Sequence, residues 1–140
     1  MSDVLTLRLV NRLSEINRLS TEIDRFAADR DLHAEAHFQL QLVLDELVSN
    51  VIKYAYGDGA EHEILVRLEA DHGGWSAEIR DDGKAFDPLK APAPKLNASI
   101  HERPVGGLGI HIVLSMMDSV TYRRENGLNI ITVRKNAAPA

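Results

Sequence analysis

The chain has 140 residues, a formal net charge of −5 at pH 7, 44% apolar and 26% charged residues, and no cysteine. That length is enough for one domain with its own core, and the composition is ordinary for a soluble globular protein. The acidic surplus argues against a general nucleic-acid binder, which presents a basic face, and the lack of cysteine excludes disulfides and thiolate metal sites.

The opening MSDVLTLRLV carries an acid where a secretory signal carries basic residues, so a cytoplasmic protein is expected. No apolar run approaches the roughly 18 residues of a membrane span. Within this stretch DVLTLRLV (3–10) alternates apolar and polar side chains and predicts a half-buried strand. Leu13, Ile16, Leu19, Ile23, Phe26 and Ala27 then recur at helical spacing and predict an amphipathic helix over about 12–29. A stronger helix is predicted from Ala34 to Tyr56, ending at the break GDGA. His33 and His37 stand four apart, but Ala34 occupies the place where a zinc protease has Glu.

HEILVRLEA and WSAEIR, joined by DHGG, predict a hairpin of two alternating strands. From Gly83 the chain runs on without periodicity through GKAFDPLKAPAPKLNASIHERP. Structureless segments of that length are usually functional lids or linkers. A third helix is predicted from near Gly107 through IHIVLSMMD, and SVTYRREN, Gly127 and LNIITVRK predict a last hairpin, with the tail 136–140 expected to fray. The order β-α-α-β-β-loop-α-β-β implies an α+β two-layer sandwich, one antiparallel or mixed sheet with its helices on one face. There is no internal repeat and no linker that would divide the chain.

Three short stretches carry chemistry. On a wheel of about 100° per residue, Leu40, Leu44, Leu47, Val48, Val51, Ile52 and Ala55 of the second helix form a core arc. Gln39, Glu46, Asn50 and Lys53 gather on the opposite side. Glu46 and Asn50 are four apart, hence neighbours on the surface. One is a carboxylate able to accept a proton, the other a neutral oxygen donor suited to a hard cation such as Mg²⁺. Taken alone, these residues read first as a solvated polar face. Asp81 directly follows an alternating strand, in DDGKAFDP, where Gly83 and Pro88 build a turn. A carboxylate fixed at a strand end can receive an exocyclic amine, though turns often carry solvated acids. VGGLGIHIV sets three glycines before a helix, where free N–H groups favour phosphate. It is neither a Walker loop nor a dinucleotide fingerprint.

Taken together and in this order, DELVSNVIKYAY, DDGKAFDP, ERPVGGLGIHIV and MMDSVTYRRENGLNIITVRK resemble the GHKL (Bergerat-fold) ATP-binding domains. Gyrase, the ninety-kilodalton heat-shock chaperone and sensor histidine kinases belong to that superfamily. The likeness is greatest to its stand-alone bacterial branch, the anti-sigma-factor serine/threonine kinases, and it covers about residues 3–135. The resemblance implies a two-layer Bergerat fold with a mixed, mostly antiparallel sheet, binding ATP and Mg²⁺. It implies Glu46 as general base, Asn50 on Mg²⁺, Lys53 towards a phosphate and Asp81 reading the adenine amino group. Gly83, giving the base room, and Ala85 would belong to the first glycine box, and Phe86 would also bind the cofactor. Gly106, Gly107, Leu108 and Gly109 would meet the phosphates, Arg103 would also bind the cofactor, Asn129 would lie on the adenine side, and 84–105 would be the ATP lid.

Two positions depart from the family pattern. Ala85 replaces the second glycine of the first box, and Gly127-Leu128-Asn129 stands where Gly-Thr is usual. The implied function is an anti-sigma regulatory protein that phosphorylates a Ser or Thr of a STAS-type anti-anti-sigma partner and binds a sigma factor. The family further implies a homodimer with no direct nucleic-acid or membrane contact. The alternatives are a non-catalytic ATP-dependent switch and a detached histidine-kinase catalytic domain.

Overall fold

The structure, a computed structural model, describes residues 3–90 and 107–137. Strand β1 (Asp3–Val10) leads into helices α1 (Glu15–Asp29) and α2 (Ala34–Tyr54). Strands β2 (Glu63–Asp71) and β3 (Gly74–Asp81) follow, then a short 3₁₀ turn (Pro88–Lys90), helix α3 (Gly107–Met116) and strands β4 (Ser119–Glu125) and β5 (Leu128–Asn136). The five strands form one sheet in the order β1-β2-β3-β5-β4, and every pairing is antiparallel. The sheet is therefore the purer of the two forms the element order allows, not the mixed one. Of the expected lid, 84–90 lies within the described residues and 91–105 outside them, as do Arg103, Gly106 and 138–140 of the tail.

Local chemistry sets the element ends. Helix α1 starts at Glu15 rather than near 12, because Arg12 and Leu13 form a turn whose carbonyls accept from the N–H groups of Glu15 and Ile16. The Glu15 carboxylate also accepts from Val10 N–H, tying the helix to the strand before it. Helix α2 is capped by His33, whose ring nitrogen accepts from Ala36 N–H. It stops two residues before the expected Tyr56, and the carbonyl of Ala55 accepts from Lys84 N–H at 3.0 Å. The β4–β5 hairpin closes through Asn126 and Gly127, both at positive φ, the Asn-Gly pair that a two-residue hairpin favours.

The core lies between one face of the sheet and the helices. Ile64, Val66 and Leu68 of β2, Ala77 and Ile79 of β3 and Val133 of β5 are buried against Leu40, Leu44, Leu47 and Val48 of α2 and Ile23 and Phe26 of α1. Burying such aliphatic side chains contributes about 1.5–3 kcal/mol each. The strand alternation that produces this face does not end apolar. The inward positions of β3 read Trp75, Ala77, Ile79 and then Asp81, and the register sets Asn129 of β5 opposite Asp81. These are the buried polar residues among those described.

Candidate functional site

At the end of β3 a carboxylate has been carried into the core face by strand period alone. Asp81 is 3% exposed and Asn129 2%. Asp81 Oδ1 accepts from Gly83 N–H at 2.9 Å and from Asn129 Nδ2 at 3.0 Å. No described residue donates to Oδ2. Burial raises the Asp81 pKa, and the hydrogen bonds from Asn129 and Gly83 oppose that rise without cancelling it. Asn129 Nδ2 also donates to the Lys84 carbonyl at 2.8 Å. Its Oδ1 accepts from Phe86 N–H at 3.3 Å and from the Tyr122 hydroxyl at 2.6 Å. Arg124, one pleat beyond Tyr122, donates to the Gly83 carbonyl at 2.8 Å. The turn after β3 is thus held from the β4–β5 hairpin on one side and from Ala55 on the other.

Gly83 is required by packing. A Cβ there would lie 2.5 Å from Ala55 Cβ and 2.6 Å from Ala55 O. Ala85 and Phe86 are exposed, and Phe86 is held through its backbone N–H. Tyr56, just past α2, stacks on His62 with ring centroids 4.2 Å apart. Its hydroxyl is buried without a partner among the described residues. Burial, then the charges of Asp81 and Asp82, raise its pKa strongly.

The second half of the site lies on α2. The Glu46 carboxylate sits against the first turn of α3, where a Cβ added at Gly109 would collide with Oε2. A helix start supplies free N–H groups and the positive end of the dipole, which suits both a carboxylate and a phosphate. Asn50 Nδ2 donates to the Glu46 carbonyl at 2.6 Å. That bond leaves Oδ1, which no described residue engages, free for a cation. Lys53 is exposed one turn further on. These side chains form one wall of a groove of about 370 Å³, with Leu13 and Ile16 opposite.

Helix α2 joins the two halves, since Glu46, Asn50 and Lys53 lead along it to Ala55 and Gly83. Glu46 and Ala55 are nine residues apart, about 13.5 Å of helix. Gly107 and Leu108 open α3, whereas Arg103 and Gly106 lie outside the described residues. Sequence reasoning missed Tyr56, Tyr122 and Arg124. Val120, Tyr122 and Arg124 alternate on one side of β4, a period-two signal visible in SVTYRRE, but the strand facing them was not.

Fold and site together define an ATPase domain of the GHKL type. The sequence profile of the histidine kinase-like ATPase domain matches residues 9–135, and the chain belongs to that family. Among similar proteins is the serine/threonine-protein kinase BtrW of Bordetella bronchiseptica, 31% identical over 106 residues, covering 76% of this chain and 75% of BtrW. The serine-protein kinase RsbW of Listeria innocua is 20% identical over 138 residues, covering 96% of this chain and 88% of RsbW. RsbW of Staphylococcus epidermidis is 29% identical over 100 residues, covering 67% and 62%. In fold, the chain resembles the histidine kinase domain of the Erythrobacter litoralis EL346 blue-light activated histidine kinase. The TM-score is 0.54 at 13% identity over 87% of this chain, which spans 63% of that structure's length. No described helix is long and apolar enough to cross a membrane.

Proposed function

We propose that this chain is an ATP-dependent serine/threonine protein kinase of the anti-sigma type. It transfers the γ-phosphoryl group of ATP to a Ser or Thr of a STAS-type anti-anti-sigma protein, and it binds a sigma factor. The observation that carries the reading is the joining, by α2, of a buried carboxylate with an unengaged oxygen to a half-buried carboxylate packed against the start of α3. The family match and the kinase names of its relatives support it.

The residues present fit the nucleotide and a hard cation. Asp81 Oδ2 is an unengaged acceptor for an exocyclic amine, and Gly83 leaves no bulk beside it. Asn50 Oδ1 is a neutral oxygen of the kind Mg²⁺ accepts alongside waters and phosphates. Bound there, Mg²⁺ would neutralise charge on the phosphates. The chain's own residues do the rest. Asp81 selects and orients the base, the opening amides of α3 hold phosphate oxygens, and Lys53 adds charge at the groove. Glu46 accepts the proton of the incoming hydroxyl, whose segment approaches along the groove between Leu13 and α2.

The test pairs ATP titration with acid-stable phosphate on a STAS-type partner. Glu46→Gln should retain ATP affinity and lose transfer by roughly 10²–10⁴-fold. Asn50→Ala should lose Mg²⁺-dependent affinity together with transfer. Full transfer by Glu46→Gln would remove the base assignment. ATP binding with no transfer by the wild type would replace the kinase by a nucleotide-dependent switch, the reading that Ala85 favours by altering the first glycine box.

A further inference from the structure

We propose that Asn129, held in orientation by Tyr122, is the positioning residue of the base end of the site: it touches no nucleotide, presents Asp81 with Oδ2 outward, and ties residues 84–86 to the sheet. The proposal rests on the ATP-binding reading above. A primary amide has two N–H donors and one oxygen with two lone pairs. In Asn129 all four are used within the protein. Nδ2 meets two acceptors, Asp81 Oδ1 and the Lys84 carbonyl, and Oδ1 meets the Phe86 N–H and the Tyr122 hydroxyl. No capacity remains for a ligand.

The same chemistry fixes which way the amide faces. A flipped amide would set its oxygen against a carboxylate oxygen and a carbonyl, and its NH₂ against a backbone N–H. Tyr122 must therefore donate, and in donating it locks the orientation. With Oδ1 of Asp81 already accepting from Asn129 and Gly83, only Oδ2 is left for a base. A purine with an amino group in that place supplies a donor, and one with an oxo group does not. Arg124 reinforces the arrangement by holding the Gly83 carbonyl.

The pH response follows from the groups around Asp81. These are Arg124 of β4, the neighbouring Asp82 with His62 behind it, and the Tyr56 phenol past α2. The Asn129 N–H and Arg124 favour the ionised carboxylate, while burial and Asp82 oppose it. Removing the Asn129 donor lets Asp81 take up a proton at higher pH, and the acceptor for the base is lost there.

The experiment measures ATP and GTP affinity in the presence of Mg²⁺ across pH 5–8, and amide exchange of 84–86 without nucleotide, for the wild type, Asn129→Leu and Tyr122→Phe. Asn129→Leu should bind ATP roughly 5- to 150-fold more weakly, the range for leaving a buried polar partner unpaired. Its affinity should fall away at higher pH than that of the wild type, and 84–86 should exchange faster. Tyr122→Phe should move every readout in the same direction by less, because Phe86 N–H still engages the amide oxygen. If Asn129→Leu fails to fold, Tyr122→Phe decides alone. Variants that match the wild type in affinity and pH profile, while the wild type binds ATP, overturn the positioning role only. A wild type that binds no ATP overturns the ATP reading and the positioning role with it.

Discussion

Asp81 shows how much one side chain's surroundings decide. Its Oδ1 is held by two N–H donors, so in Asp81→Asn the amide oxygen takes that place and the NH₂ takes the place of Oδ2. A donor would then face the donor of the base. The variant should fold and bind ATP roughly 5- to 150-fold more weakly, the equivalent of about 1–3 kcal/mol for a mispaired buried group; isothermal titration measures it, and unchanged affinity would remove Asp81 from the base. The raised pKa of Asp81 also sets a pH dependence. Binding needs the ionised acceptor, so affinity should decline on acidification at a higher pH than an exposed carboxylate would impose. The protein's own stability responds oppositely to this group. A carboxyl whose folded pKa lies above its unfolded value favours folding most when protonated, and that contribution is lost as pH rises through the folded pKa.

Two glycines govern how elements meet, and they predict different failures. Gly109 brings α3 onto Glu46, and Gly83 brings the turn after β3 onto the end of α2. Gly109→Ala meets the end of a side chain, which can swing away. It should cost little stability but reduce phosphoryl transfer, because the displaced group is the proposed base. Gly83→Ala meets backbone and Cβ of Ala55, which cannot yield without breaking the Lys84–Ala55 hydrogen bond. It should destabilise the fold by about 1–3 kcal/mol, as overpacking does. Chemical denaturation and transfer assays on both variants separate the cases. Equal stability of the two would contradict the contact geometry.

Across the whole molecule, His62 links segments that are distant in the chain. Its ring lies between Asp58, at 2.8 Å from Nε2, and Asp82, at 3.2 Å from Nδ1, with Tyr56 stacked on it. The hydrogen bond to Asp58, then that to Asp82, raises its pKa against the desolvation that lowers it. A histidine whose folded pKa is raised contributes stability that is fully present below its unfolded pKa, near 6.5, and lost as pH rises through the folded value. Thermal unfolding should therefore show wild type losing stability relative to His62→Gln as pH is raised from the acid side of that window to the alkaline side. A difference between the two proteins that does not vary with pH would mean the ring acts by packing on Tyr56 alone.

Local patterning was enough for every helix and strand among the described residues, because alternation in DVLTLRLV and WSAEIR, the 3.6-residue recurrence in α2 and the glycine cluster before α3 are properties of neighbouring residues. It was also enough to place Glu46 and Asn50 on one side of α2 and Asp81 at a strand end. The short turn at Pro88–Lys90, the start of α1 at Glu15 and the end of α2 at Tyr54 were not readable, since each depends on a hydrogen bond to a particular carbonyl or carboxylate. The insertion of β5 between β3 and β4, the approach of Gly109 to Glu46 and the saturation of Asn129 by Asp81, Lys84, Phe86 and Tyr122 were decided only in three dimensions. They join residues more than forty apart in most cases, and such pairings are selected by packing and by the need to satisfy buried polar groups, neither of which leaves a repeating mark in the sequence.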